Sequence, residues 1–298
     1  MGIRSEVHQI FIKKLVIILL VCFVLILMKN FVISLSTAQQ RRNHIVLEFS
    51  KHGVKFDFFD AITPDISEGA KRSLGLKDYT TQLHPNEVAC LLSHMMLWKK
   101  AVDEELDYIS IFEDDIYLGQ EAASFLNDTS WIPSECGIIK LEVLYKKIAI
   151  SLNQKIFRVQ NDREIFVLSE PHMGCGGYIL SKDTAQKLLE FIYQSTVIIP
   201  IDHFAFREYP EKTNSVIHQL VPALCVQDVI LRKGQTMFPS ALEGVRNQRT
   251  GKKSIKQSLN VVNKLNRELF RIISHIQEFL KERVKLLKGI KIIRLKFK

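Results

Sequence analysis

Three consecutive carboxylates, Glu113-Asp114-Asp115, close a short apolar run at residues 108–112. Like charges side by side raise one another's pKa unless a cation neutralises them, so such a run asks for a metal. On a strand the side chains alternate: Glu113 and Asp115 point one way, Asp114 the other, and the first two can share a hard divalent ion. Oxygen-only ligation suits Mg²⁺ or Mn²⁺ bridging a diphosphate. The plain alternative is a solvated acidic loop. A position at the end of a strand in an α/β protein, where ligands gather, weighs against it.

Two further carboxylates sit where a base is useful. Asp202 follows Ile198-Ile199-Pro200-Ile201, an apolar approach that delivers it to the end of an extended segment; capping the turn at His203-Phe204 is its other reading. Glu142 follows a strand-like stretch at 137–141, and an ion pair with Lys140 or Lys146 is the simpler account of it. The run Gly174-Cys175-Gly176-Gly177-Tyr178 lets backbone come close to a sugar, or makes a tight turn. His94 reads as a packed helix residue. The five cysteines are dispersed without a Cys-x-x-Cys pair, which points to buried thiols in a reducing compartment. A zinc set of Cys90, His94, His172 and Cys175 is arithmetically available, but Cys90 and His94 lie within an apolar helix rather than in paired short spacings.

The elements that must position these residues alternate strand and helix, as a sheet covered on both faces requires. Strands are expected at 31–35, 55–59, 108–112, 137–141 and 176–180, and helices at 39–52, 86–102 and 181–193. Asn86 is the expected cap of the second helix and Ser181 of the third. Residues 255–287 carry apolar positions at helical spacing and read as one or two amphipathic helices.

Charge divides unevenly along the chain. Residues 245–298 hold 16 Lys/Arg against three Glu. With +2 on residues 1–28 and +13 on this tail, the total of +9 leaves −6 on residues 29–244. A mildly acidic body is not a general nucleic-acid binder, so no nucleic-acid partner is expected. Residues 15–28 are an unbroken apolar run of 14, about 21 Å as a helix and short of a roughly 30 Å hydrocarbon core. With a strand expected directly after it, we read Met28 as the start and residues 1–27 as an upstream extension, a short anchor being the alternative.

The ordered blocks Met28-Lys-Asn-Phe-Val-Ile-Ser-Leu35 with Arg41-Arg42, Phe58-Phe59-Asp60-Ala61, Asn86-Glu-Val-Ala-Cys-Leu-Leu-Ser-His94 with Trp98, Ile111-Phe-Glu-Asp-Asp115, Lys140-Leu-Glu142, Gly174-Cys-Gly-Gly-Tyr-Ile-Leu-Ser181 and Pro200-Ile-Asp202 resemble glycosyltransferase family 25, the lipooligosaccharide galactosyltransferases. The resemblance implies a GT-A type fold with one Rossmann-like domain, a UDP-sugar donor, Mn²⁺ or Mg²⁺, and inversion at the anomeric carbon. It puts the metal on Glu113 and Asp115, and the sugar nucleotide against Ser34, Leu35, Arg42, Asp114, Gly176, Gly177 and Tyr178. Asp202, then Glu142, are the expected bases.

The resulting expectation is a catalytic domain at 28–244 and a basic amphipathic region at 245–298. It acts on a lipooligosaccharide acceptor at an anionic membrane surface, the cytoplasmic face of the bacterial inner membrane. A metal-dependent nucleotidyl or phosphoryl transferase, and a non-catalytic membrane-bound scaffold, are the alternatives.

Overall fold

In the computed structural model, which describes residues 27–77, 79–238, 277 and 280–298, short runs rich in Val, Ile and Phe become strands. They are β1 (Lys29–Ser34), β2 (Asp57–Asp60), β3 (Thr80–Thr81), β4 (Tyr108–Glu113), β5 (Ile116–Leu118), β6 (Ile138–Lys140), β7 (Glu142–Val143), β8 (Lys147–Ser151), β9 (Phe157–Arg158), β10 (Glu164–Val167), β11 (Gly177–Ser181), β12 (Val197–Ile198), β13 (His218–Val221), β14 (Cys225–Gln227) and β15 (Ile290–Arg294). Eight form the main sheet in the order β2-β1-β4-β11-β6-β13-β10-β9. Six of these run one way and β11 and β10 oppose them, so the fold is mixed α/β with a large, mainly parallel sheet.

Strand alternation assigns each residue to one of two layers. Ile109 and Ile111 of β4 and Tyr178 and Leu180 of β11 face one side, packed against α3 (Pro85–Asp103) and α5 (Lys182–Tyr193); α1 (Gln39–Lys51) and α2 (Ser67–Leu74) precede these in the chain, and α4 (Ala122–Leu126) lies between them. Phe112 and Ile179 face the other side, toward Ile45 and Phe49 of α1 and Phe125 of α4. The same alternation sends Glu113 toward α3, and Asp114, in the turn that follows, points toward Arg41 of α1.

Helix ends follow local chemistry, with one correction. Ser181 caps α5, accepting from the Thr184 N–H at 3.2 Å. The cap of α3 is His84, not Asn86: its Nδ1 accepts from the Asn86 N–H, Glu87 accepts from the His84 N–H at 2.9 Å, and Pro85 opens the first turn. Residues 201–213 form a helical run with a π turn at Phe204–Glu208. Pro210, lacking an N–H, cannot continue the ordinary helical bonding there.

The expected boundary at 244 does not hold. β15 pairs antiparallel with β8, from Ile290 against Ser151 to Arg294 against Lys147. Leu295 is 3% exposed among Val143, Ile148, Phe166 and Val226. Buried Arg163 donates to the Lys298 carbonyl at 2.7 Å and to the Gln120 carbonyl at 2.8 Å. Residues 290–298 therefore belong to the body. Most of the expected amphipathic stretch at 255–287, like residues 1–26, lies outside the described residues. Among those described, no helix is long and apolar enough to cross a membrane.

Two leucines separate these roles. Leu295→Ala should cost about 2–4 kcal/mol in denaturant unfolding through the cavity it leaves, while Leu287→Ala, at an 89% exposed position, should stay within about 0.5 kcal/mol. Equal effects would contradict the packing described.

Candidate functional site

The carboxyl ends of β1, β4 and β6 meet the start of antiparallel β11 at one edge of the sheet, and the acidic triplet stands there. Asp114 turns toward α1. It accepts from the Ser34 hydroxyl at 2.6 Å and from the Arg41 guanidinium, which also donates to the Phe238 carbonyl at 2.6 Å. Arg41 stands 3.9 Å from Asp115 as well. Glu113 and Asp115 converge on Gln227, whose Nε2 donates to Glu113 Oε2 at 2.6 Å and to Asp115 Oδ1 at 3.4 Å. Gln227 is held in place by β14, which lies between β5 and β7, and by the Asp228 N–H, which donates to the Asp115 carbonyl at 2.8 Å.

Burial drives the Asp115 carboxyl up to about 6; Asp114 and Glu142 push in the same direction, and Arg41 and Gln227 pull it back. The expected pair, Glu113 and Asp115, thus does face one point. Its oxygen-only donor set, drawn around a single amide, fits a hard divalent ion.

Glu142 is sealed. It is fully buried, and Lys140, equally buried, donates to its Oε1 at 2.8 Å and to the Met173 carbonyl at 3.0 Å, with the ammonium 3.9 Å from the centre of the Phe206 ring. Burial raises the Glu142 carboxyl and Lys140 opposes that rise. Its expected place in an open cleft is corrected to an internal ion pair.

The glycines explain themselves against the same carboxylate. A Cβ on Gly174, whose φ is +87°, would come within 3.0 Å of Glu142 Oε1, and one on Gly176 within 2.6 Å of Oε2. A Cβ on Gly177 would strike Cys225 and Phe112. Both Gly176 and Gly177 are buried, making room for neighbouring side chains.

Asp202 is half-buried at the start of the 201–213 run, its carboxylate accepting from the Gly174 N–H at 3.3 Å and from the His203 N–H at 3.0 Å. Tyr178, expected at the nucleotide, is 1% exposed; its hydroxyl lies 2.8 Å from His94 Nδ1 and accepts from Trp98 Nε1 at 2.9 Å. Its side chain belongs to the core. Burial, with Lys140 close by, pushes His94 down to about 3, so its imidazole is neutral.

Arg42 closes the turn after β1. It donates to the Leu35 and Ser34 carbonyls at 3.1 Å, pairs with Asp60 and lies 4.6 Å over the Phe58 ring. The cation beside the acidic triplet is its neighbour Arg41. Helical spacing to buried Ile45 and Glu48 was the available signal for that inward face. Gln227, from a short strand far along the chain, had no such signal. The zinc set of Cys90, His94, His172 and Cys175 that the sequence argued against is not assembled either, because both nitrogens of His172 are engaged by Gln219 and by the Leu144 and Tyr145 N–H groups.

With this geometry in hand, likeness to known proteins decides the family. The profile of glycosyltransferase family 25 (LPS biosynthesis protein) matches residues 27–205. This chain belongs to that family. It is 34% identical over 251 residues to a putative glycosyltransferase of Haemophilus influenzae, covering 82% of this chain and 84% of that one. The lipooligosaccharide biosynthesis protein lex-1 of the same organism is 29% identical, at 84% and 95% coverage. The lacto-N-neotetraose biosynthesis glycosyltransferase LgtE of Neisseria meningitidis is 34% identical, at 81% and 89%. Among solved structures, an inositol-1-phosphate CTP transferase from T. maritima overlaps at a TM-score of 0.35 with 14% identity, over 67% of this chain and 88% of that one. That likeness is too loose to carry an argument. The family makes the protein a glycosyltransferase of lipopolysaccharide or lipooligosaccharide biosynthesis, with a nucleotide-sugar donor and an oligosaccharide acceptor.

The raised carboxyl of Asp115 has a measurable sign. The folded state holds this proton more tightly than the unfolded chain, so the penalty is absent below about pH 3.9 and complete above about pH 6. In metal-free protein, Asp115→Asn should therefore gain on wild type by roughly 1–3 kcal/mol as pH rises across that window, read by denaturant unfolding. A difference that does not vary with pH would show that the carboxyl is not raised.

Proposed function

We propose that this family 25 enzyme transfers a hexose, galactose by the family resemblance, from a UDP-sugar to a hydroxyl of a lipooligosaccharide core, inverting the anomeric carbon. The observation that carries the reading is the division of the acidic triplet: Asp114 answered by Arg41, and Glu113 and Asp115 left converging on the Gln227 amide. A parallel sheet whose strand ends carry that triplet supports the GT-A type. Glu113 and Asp115 are the residues that would hold Mn²⁺ or Mg²⁺, which when bound supplies charge neutralisation for the departing diphosphate. Ser34 and Asp114, bonded to each other, fix the end of β1 beside that point.

Asp202 is the base. It is half-exposed and held by the Gly174 and His203 N–H groups, whereas Glu142 is sealed against Lys140. The acceptor oxygen attacks the anomeric carbon, its proton passes to the Asp202 carboxylate, the bond from that carbon to the diphosphate breaks, and UDP leaves.

Incubation with UDP-galactose and truncated lipooligosaccharide should release free UDP and add one hexose to the acceptor by mass, and chelation by EDTA should stop both. Asp202→Asn should lower kcat by roughly 10²–10⁴ with UDP-sugar binding preserved. Release of pyrophosphate would move the reaction to nucleotidyl transfer, and near-normal turnover by Asp202→Asn would remove it as the base.

The basic tail supports a peripheral seat on the anionic cytoplasmic face of the inner membrane, where a lipid-anchored acceptor lies. Residues 280–287 are helical, with Leu280, Val284 and Leu287 exposed at helical spacing among Lys281, Arg283 and Lys285. Each cation near such a surface contributes about 1 kcal/mol. Replacing Lys281 and Arg283 with Ser and Leu287 with Asp should weaken salt-sensitive binding to phosphatidylglycerol vesicles at least tenfold. Unchanged binding would discard the membrane seat.

A further inference from the structure

On the α3 side of the acidic triplet, Cys90 and His94 stand one helical turn apart on the same face, and β4 alternation sends Glu113 toward them. One ligand atom from each, a thiol sulfur, a ring nitrogen and a carboxylate oxygen, all lie within 4.8 Å of one another. This is a different donor set from the Glu113 and Asp115 pair, because it brings sulfur and imidazole to the same point.

A second observation concerns His94 alone. Its ring is 0% exposed, and Nε2 has no hydrogen-bond partner although it is fully buried. Leaving a buried ring nitrogen unpaired is costly, which asks what it is there to meet. Its other nitrogen is accounted for: Nδ1 lies 2.8 Å from the Tyr178 oxygen, which also accepts from Trp98 Nε1. Ligation through Nε2 uses the tautomer in which Nδ1 carries the hydrogen and donates to that oxygen, leaving the Nε2 lone pair for a metal. A hydrogen bond that fixes the far nitrogen and the ring plane is the usual support of a metal-bound histidine.

The local charge points the same way. Glu113, Asp114, Asp115, Glu142 and Asp202 share this end of the sheet, and the ion pairs there supply Arg41 and Lys140. A cation beside Glu113 relieves that excess.

We propose that Cys90, His94 and Glu113 form a binding site for a borderline transition-metal ion of the Zn²⁺ class. Thiolate and imidazole together select zinc or cobalt over Mg²⁺ and Mn²⁺. Ligand distances of about 2.0–2.3 Å put tetrahedral donor atoms about 3.4–3.6 Å apart, so closing from at most 4.8 Å needs side-chain adjustments of about an ångström. Ligation and the Gln227 hydrogen bond use different lone pairs of the Glu113 carboxylate. Three protein ligands leave a fourth position for water or another donor. The proposal does not rest on the transferase reading, since its test needs no substrate.

Cobalt is the probe. The full chain, freed of metal by chelator dialysis, is titrated with Co²⁺ while its absorbance is followed. The expected result is saturation at one ion per chain, with a near-ultraviolet thiolate-to-cobalt charge-transfer band and visible bands of tetrahedral intensity. Zn²⁺ should erase these bands and Mg²⁺ in large excess should not. Cys90→Ser, nearly isosteric, should abolish the charge-transfer band with unchanged circular dichroism, and His94→Gln should weaken cobalt binding at least tenfold. Asp115→Asn, which removes a ligand only of the oxygen pair, should retain the band. Absence of the band in folded wild-type protein, or its survival in Cys90→Ser, would overturn the proposal.

Discussion

Three adjacent carboxylates at the end of a buried strand cannot share one environment, and the strand's last residue together with the two-residue turn that follows it is what separates them. Asp114 goes to the α1 layer and finds Arg41 and Ser34. Glu113 and Asp115 both reach Gln227, with Asp115 keeping Arg41 at 3.9 Å as well. Much of the surrounding architecture serves this separation. α1 must begin just after β1 so that Arg41 reaches back to the strand end. The small β5-β14-β7 sheet must form so that Gln227 arrives from more than a hundred residues downstream.

The second constraint is the buried pair Lys140 and Glu142. Two charges removed from water are tolerable only when each is closely partnered, and removing one partner is far more costly than replacing both. Here the ammonium is shared among a carboxylate, two carbonyls and an aromatic face. The glycines at 174 and 176 leave space for the carboxylate, so a sequence feature that resembles a sugar-binding loop is bound first to the internal chemistry of the protein. The same Gly174 offers its N–H to Asp202. The sealed ion pair and the half-exposed carboxylate are thereby tied to one turn of backbone.

Five strands of the main sheet, β2, β1, β4, β11 and β6, and three of the main helices were legible from periodicity, because apolar alternation and helical spacing are local signals. Ser181 was legible as a cap for the same reason. His84 was not, because a histidine ring nitrogen taking a capping role depends on the turn set by Pro85. Arg41 and Arg42 are chemically identical neighbours, and only the rotation of α1 about its axis distinguishes the one that meets Asp114 from the one that meets Asp60. Tyr178 illustrates the opposite failure: a polar tip in a glycine-rich block reads as a ligand contact, yet its hydroxyl is consumed by Trp98 and His94. Long-range partners such as Gln227 and β15 left no local trace.

The pairing of β15 with β8 joins Arg294 to Lys147, 147 residues apart, a long-range contact that is slow for the chain to find. Until residues 290–298 have been synthesised, β8 presents an unpaired edge beside an incomplete apolar cluster, and Arg163 lacks one of its carbonyl acceptors. Cotranslational folding can thus assemble the acidic edge early but must hold the molecule open along this seam. The interval of greatest exposure to aggregation and proteolysis precedes the synthesis of residues 290–298, when the strand ends that carry the chemistry are already in place.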